Sequence, residues 1–366
     1  MEKEHKASLS PTGSDLSSWC WSHLPPELLD QIYALLSHFD RHSFRQICST
    51  WRGVARQSIP PFPLVFEPPR LLHSEPDNGF SFFDIFNCKS LSCSIPPPHN
   101  RAHCFGYLAG WFFLVSDQNP YRACLFNPVL LAEIPLPDLN SRIRKAILSA
   151  APAPGFPNCI VAVAVIGSSG YIAVCEPAGK RWQVLDLGQG QPILVIDIIF
   201  WRNQLCAIVN RYAVLICNFD MESRETSILT VRLPKLYRHT VDAFLVESTG
   251  GDLLTVIVDA HKFKVFKLVQ QDCTWEQMER IGNQALFLGR IRSESVPVNQ
   301  FLDWGLRENS IYCTSHTTRM NFNFRGRNYG VPIVYSMENR AVREVPVSVQ
   351  YWIQHEPVWV SPIIWP

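Results

Sequence analysis

The sequence predicts a mainly β protein with a small N-terminal α module: three short helices, then a ring of six blades, a β-propeller. Three observations predict it. Apolar residues recur at three- and four-residue steps only near the N-terminus. Downstream, short apolar runs alternate with turn residues, and a strand–turn–strand unit returns about every 40–50 residues. The composition is that of a loop-rich globular chain: 366 residues, 47% hydrophobic, 18% charged, with 28 prolines. That apolar share excludes wholesale disorder.

Residues 1–18 are polar and read as a flexible tail. They contain no apolar stretch of the kind a secretory leader needs. No later window approaches the ~18 apolar residues of a membrane helix. Twelve cysteines without any Cys-x-x-Cys, most of them inside apolar runs, read as buried reduced thiols. The expected location is the cytosol or nucleus. With 33 Lys plus Arg against 32 Asp plus Glu, the net charge of +1 excludes nucleic-acid binding driven by overall charge.

The helical head spans residues 19–59. Leu24, Leu28, Leu29, Ile32, Leu35 and Leu36 mark one apolar helix face. Pro25 and Pro26 suit its first turn, and Glu27 there complements the helix dipole. Asp40 fits the N-cap of a second helix with Phe44, Ile47 and Cys48, and Ser49 that of a third with Trp51 and Val54. Pro60, Pro61 and Pro63 end the helical region. About forty residues cannot hide so many large apolar side chains, so some are expected to face a partner.

From residue 62 to 366 the repeat takes over. Taking Asp84, Asn127, Glu176, Asn218, Leu268 and Ser336 as equivalent points, the steps are 43, 49, 42, 50 and 68. Further apolar runs lie between them: GYLAGWFFLV, CIVAVAVIG, NQLCAIV, GDLLTVIV and NSIYC. A period of about 40–50 residues with about four strands each is what propeller blades require. A pair of β-sandwiches is the competing architecture.

Leu24-Pro25, Glu27-Leu28-Leu29, Ile32, Leu36, Asp40, Phe44-Arg45, Ile47-Cys48 and Trp51-Arg52 together resemble an F-box, although Ser37-His38-Phe39 lacks the proline often found there. Trp275-Glu276-Gln277-Met278, the stretch Ile281–Gly289 and Asn309–Cys313 are similar to the C-terminal domain of a large plant F-box family. Arg327-Asn328-Tyr329-Gly330-Val331 matches its Arg-Asp-x-Gly-Val motif with Asn in place of Asp, and Trp352, Pro357, Trp359 and Pro362 also suit it. The resemblance implies docking on a Skp-type adaptor, and through it on a cullin. It carries the adaptor contacts onto Leu24, Pro25, Leu28, Leu29, Ile32, Leu36, Phe44, Ile47 and Cys48, with Trp51 in the module's own core.

No set of residues points to bond chemistry, and no cofactor is implied. Cys88, Cys93, His99, His103 and Cys104 cluster in sequence but lack a zinc knuckle. Gly167-Ser168-Ser169-Gly170 is not a nucleophile elbow and reads as a turn, as does Asp259-Ala260-His261. The most distinctive segment, His316–Gly330, sets Arg319, Arg325 and Arg327 among Phe322, Phe324 and Tyr329 with no acid. Such a segment reads as a solvated long hairpin loop, as a contact for an acidic peptide, or as a stacking surface for single-stranded RNA. Arg319, Arg325, Arg327 and Tyr329 are therefore the candidate target contacts.

The expected function is substrate recognition in an SCF-type ubiquitin ligase. The head would dock on the adaptor and the propeller would recruit an unidentified protein target. The alternatives are an F-box scaffold without degradation, or a propeller enzyme tethered by its head.

Overall fold

Two prolines open the first helix. Pro25 is the N-cap and Pro26 the first helical residue of α1 (Pro26–Leu35), with Glu27 in the first turn. In this computed structural model the described residues are 21, 24–36, 44, 47–57, 68–74, 79–94, 102–116, 121–127, 132–139, 141–152, 159–166, 170–177, 179–187, 193–210, 212–223, 225–234, 240–259, 262–314, 332–345 and 358–361. The chain divides into two units, Met1–Val65 and Phe66–Trp365.

The first unit contains α1 and a second described helix, α2 (Ser49–Gln57). Of the three helices expected, the middle one lies mostly outside the described residues. Leu29, Tyr33, Phe44, Trp51 and Ala55 form the unit's core. The Phe44 ring lies 5.2 Å from Tyr33 and 4.3 Å from Trp51. The indole N–H of Trp51 donates to Trp21 O at 3.0 Å, tying the segment before α1 to α2.

In the second unit the strands form six sheets. The first has the order β25 (Val358–Val360), β1 (Arg70–Ser74), β2 (Gly79–Asp84), β3 (Lys89–Ser94). The next four are simple meanders: β4 (His103–Leu108), β5 (Trp111–Val115), β6 (Ala123–Asn127) and β7 (Ala132–Pro135), then β8 (Ile143–Leu148), β9 (Val161–Val165), β10 (Tyr171–Cys175) and β11 (Gln183–Val184). The fourth holds β12 (Val195–Trp201), β13 (Gln204–Val209), β14 (Ala213–Phe219) and β15 (Thr226–Arg232). The fifth holds β16 (Thr240–Glu247), β17 (Leu253–Asp259), β18 (Lys262–Val269) and β19 (Thr274–Met278). The sixth departs from this plan. It contains β20 (Gln284–Leu288), β21 (Glu294–Pro297), β22 (Ser310–Cys313), β23 (Ile333–Ser336) and β24 (Val342–Glu344), in the order β21-β20-β22-β23-β24.

This is a six-bladed propeller, and its core shows why. Side chains alternate along each strand, so the two faces of a blade pack against different neighbours. On β13, Leu205, Ala207 and Val209 join the third blade, whereas Cys206 and Ile208 join the fifth. Six apolar clusters result, one in each wedge between adjacent blades, including the wedge between the sixth and first. The second strands are covered on both faces, so β5 and β9 are buried throughout, whereas outermost β15 and β19 are largely exposed. Competing sandwiches would not generate a closed cycle of wedges. The C-terminal strand closes the ring, because β25 pairs antiparallel with β1 through Leu71 opposite Trp359.

Indole N–H groups stitch neighbouring segments together. Trp182 donates to Pro137 O at 2.9 Å, Trp201 to Gly251 O at 3.0 Å and Trp359 to Leu288 O at 3.1 Å.

The repeat points read from sequence all fall at or next to the C-terminal end of a strand that is next to outermost in its blade: Asp84 on β2, Asn127 on β6, Glu176 after β10, Asn218 on β14, Leu268 on β18 and Ser336 on β23. The long last step of 68 has a cause. The sixth blade inserts β20 between β21 and β22, running parallel to β22, and adds two 3-10 turns, Val298–Gln300 and Leu302–Trp304. The inner strands β4, β8, β12 and β16 each carry a register shift near their start, at Cys104/Gly106, Ile143/Lys145, Val195/Asp197 and Thr240/Asp242. Such bulges bend and twist a strand, here beside the crowded central channel. Gly106 has room for no side chain: a Cβ there would lie 2.4 Å from Ala146 O.

Candidate functional site

Two regions concentrate the candidate residues: the surface of the helical head and the central channel of the propeller. On the head, the nine expected adaptor contacts separate by burial. Leu29 and Phe44, 0% and 1% exposed, belong to the module's own core. They point inward because so small a module must use its own helix faces to form any core. Leu24, Ile32, Leu36 and Cys48 are partly buried against that core. Pro25 is exposed, Leu28 is 47% exposed and Ile47 is 54% exposed.

Sequence reading missed Trp21, which is 69% exposed. The available signal was an aromatic side chain just ahead of the Leu24-Pro25 pair. Leaving such side chains in water forgoes about 1.5–3 kcal/mol each relative to burial. The arrangement can therefore do one thing well, which is to bind an apolar surface.

In the propeller, a cavity of about 530 Å³ opens between inner strands of several blades. Tyr107, Lys145, Phe200, Glu247, Arg292 and Glu294 are among its lining residues. Its charges are largely paired. Lys145 Nζ lies 2.6 Å from Asp197 Oδ1, and Arg292 contacts Glu294 at 3.0 Å while also donating to Tyr107 O at 3.1 Å. The Ser361 hydroxyl donates to Glu294, and Tyr107 Oη donates to Ser361 O at 2.7 Å. Burial raises the Tyr107 hydroxyl above its ordinary range, and it pushes the Cys104 thiol up to about 12. These bonds hold inner-strand ends together rather than poise an acid and a base toward the cavity.

The remaining sequence candidates are dispersed. Arg319, Arg325, Arg327 and Tyr329 lie outside the described residues. So do His99, Gly167–Ser169 and His261, and the side chains of Cys93 and Asp259. Cys88 is exposed in the turn after β2, whereas His103 and Cys104 lie on β4 in another blade. Gly170 forms an isolated antiparallel bridge to Ile193.

With this geometry in place, the comparisons with known proteins are direct. The family described as F-box domain matches residues 21–62, and the family described as KIB1-4 beta-propeller matches residues 82–336. An F-box/kelch-repeat protein of Arabidopsis thaliana is 24% identical, covering 93% of this chain and 94% of its own length. F-box protein SKIP23 of Arabidopsis thaliana is 33% identical, over 74% of this chain and 78% of its own length. The family matches cover both units, the smaller by its F-box and the larger by its ring of blades: the chain belongs to the plant F-box proteins that carry a KIB1-4 β-propeller.

Proposed function

We propose that this protein is the substrate-recognition subunit of an SCF-type ubiquitin ligase, docking on a Skp-type adaptor and through it on a cullin. One observation carries the reading: an F-box head that leaves Leu28 and Ile47 about half exposed accompanies a separate propeller unit. The head binds the adaptor through those side chains with Pro25 and the margins of Leu24, Ile32, Leu36 and Cys48. The propeller holds a protein target, and the segment bearing Arg319, Arg325, Arg327 and Tyr329 contributes to that grip. Joining both sites in one chain raises the target's effective concentration at the ligase.

The protein itself performs no bond chemistry in this reading, and it works in the cytosol or nucleus. Pairing of Lys145 with Asp197 and of Arg292 with Glu294 supports a structural rather than catalytic channel. The net charge of +1 gives no support to a nucleic-acid partner. Among the described residues no helix is long and apolar enough to cross a membrane.

The test is reconstitution with a purified Skp-type adaptor. Leu28→Asp with Ile47→Asp abolishes co-elution while the head stays folded, because carboxylates cannot be buried unpaired at an apolar interface. Undiminished co-elution of the folded double variant refutes the reading. Target accumulation after gene loss separates it from a scaffold that assembles without degradation.

A further inference from the structure

The fourth blade ends in β15, the longest outermost strand of the ring, which pairs with β14 and with no other described strand. Its register shows which backbone groups face outward. The Leu233 N–H donates to Tyr212 O at 2.8 Å, and the Asp220 N–H donates to Glu225 O at 3.0 Å. Hydrogen-bonded pairs in an antiparallel ladder recur at every second residue. Ser227, Leu229 and Val231 therefore bond toward β14, whereas Thr226, Ile228, Thr230 and Arg232 aim their backbone N–H and C=O groups away from it.

An open edge is a template for another strand, and proteins usually blunt it with short length, charge or proline. The other blades do so. Outermost β11 has two residues, β7 carries Glu133 and Pro135, β19 carries Glu276, and β24 carries Arg343 and Glu344. Strand β3 opens on Lys89 and has serine at every second position. By contrast, β15 runs from Thr226 to Val231 without charge or proline, mostly in residue types that favour strands, before Arg232 ends it. Leu229, in the middle of that run, is 47% exposed.

The strand is also complementary to itself. Laid antiparallel on a second copy about a twofold axis at Leu229, it overlaps over its full length. Thr226 then falls opposite Arg232 of the second copy, and Ile228 opposite Thr230. Every outward-facing residue meets another, so each pair can exchange both hydrogen bonds. Leu229 meets its own copy at the non-hydrogen-bonded centre, where side chains approach most closely. Arg232 faces threonine, so no like charges oppose. A shift of one residue would set outward groups against groups already bonded to β14, and a shift of two would leave strand ends unpaired.

We propose that β15 is a self-association edge through which two copies of this chain form a twofold dimer, their four-stranded fourth blades joined into one sheet. Pairing uses up both edges, so the assembly closes at two. A strand pairing of this length is small against the about 1,200 Å² that stable complexes bury, so the dimer is reversible and concentration-dependent. Self-association at this edge does not depend on the ligase reading; in that reading it sets two target-holding propellers in one complex.

Sedimentation velocity of the full chain, from low micromolar to several hundred micromolar, is expected to show a monomer–dimer equilibrium and no larger species. Amide hydrogen exchange across Thr226–Arg232 is expected to slow as the dimer forms. Leu229→Lys sets two like charges opposite each other and is expected to weaken the dimer at least tenfold, as is Leu229→Asp. Mixed in equal amounts, these two variants are expected to recover association at least tenfold over either alone, because opposite charges then meet at the axis. Thr230→Pro removes an outward N–H while leaving the ladder to β14 intact, and is expected to weaken the dimer as strongly. Leu229 and Thr230 are both exposed, so the two positions guard against one variant failing to fold. A monomer at every concentration, including one whose β15 edge takes up a segment of a different protein, overturns the proposal. So do assemblies larger than two, a dimer whose β15 amides exchange as in the monomer, variants that associate like wild type, and a charge-swapped mixture that recovers nothing.

Discussion

Lys145 Nζ lies 2.6 Å from Asp197 Oδ1, and both side chains are buried between the inner strands of the third and fourth blades. The same Asp197 Oδ1 accepts the Ile198 N–H at 2.9 Å, and Oδ2 accepts the Leu245 N–H of the fifth blade at 2.8 Å. One carboxylate thus binds three successive blades. Arg144 runs alongside, donating to Ile196 O at 2.7 Å and lying 3.8 Å from Asp242. All four charged residues sit at the bulges of their inner strands, where regular pairing is interrupted.

Removing one partner of a buried ion pair leaves the other charge uncompensated. Lys145→Met should therefore destabilise the propeller by about 3–5 kcal/mol. Asp197→Leu should cost at least as much, because it also orphans the Ile198 and Leu245 amides. Urea unfolding monitored by tryptophan fluorescence checks both. A Lys145→Met midpoint equal to wild type would show that the pair contributes nothing.

Ring closure predicts a long-range effect of the C-terminal strand. Trp359 is fully buried and its ring lies 5.0 Å from Phe287, edge to face. Trp359→Ala should cost about 3–5 kcal/mol through the cavity left behind. Trp359→Phe should cost less, about 1 kcal/mol from the lost hydrogen bond to Leu288 O. Ending the chain before Val358 should expose β1 and abolish cooperative unfolding. A truncated chain that still melts in one sharp transition would contradict closure by β25.

The thiols predict both labelling and pH dependence. Cys88 and Cys273 are exposed, whereas Cys124, Cys175, Cys206 and Cys217 are buried. Iodoacetamide at pH 8 should modify the first two in the native protein and the other four only in denaturant, as read site by site by mass spectrometry. Burial pushes Cys104, Cys124, Cys175 and Cys217 from 9.0 up to about 12. At pH 7 these thiols are protonated in both states and leave stability unchanged. As pH rises toward 12 the unfolded chain releases protons that the folded chain retains, so stability falls, by up to about 1.4 kcal/mol per pH unit per thiol. Melting curves from pH 8 to 10.5 should show the decline, and replacing two of these cysteines by Ala should flatten it.

The head predicts a sharp contrast between adjacent leucines. Leu29→Ala opens a cavity in a five-residue core and should destabilise the head by about 2–5 kcal/mol. Leu28→Ala should change head stability by no more than about 0.5 kcal/mol. Hydrogen exchange of α1 amides in the full chain distinguishes them. Equal protection in the two variants would mean that Leu29 is not the core side chain its burial indicates.

Much of this architecture is legible in the residues themselves. Helix α1 starts where Pro25 and Pro26 permit it, and the second strands announce themselves as unbroken apolar runs because neighbouring blades cover both faces. Hairpins leading to the outermost strands set the visible repeat because tight turns need polar, turn-forming residues. The inner strands were harder to read. Their bulges break the alternation of two, and Arg144, Lys145, Asp197 and Asp242 place charges where a sheet core would be apolar. Periodicity also gave Leu28 and Leu29 the same helix face.

By itself the sequence determined the helical head, the mainly β body and the blade period, because local propensity and apolar spacing act over a few residues. Tertiary structure alone decided which apolar residues of the head remain in water, how Asp197 joins three blades, and that β15 keeps an open edge. Those outcomes depend on packing and hydrogen bonds between residues distant in the chain. Asp197 and Leu245 are forty-eight positions apart, and Leu71 meets Trp359 only when the ring closes.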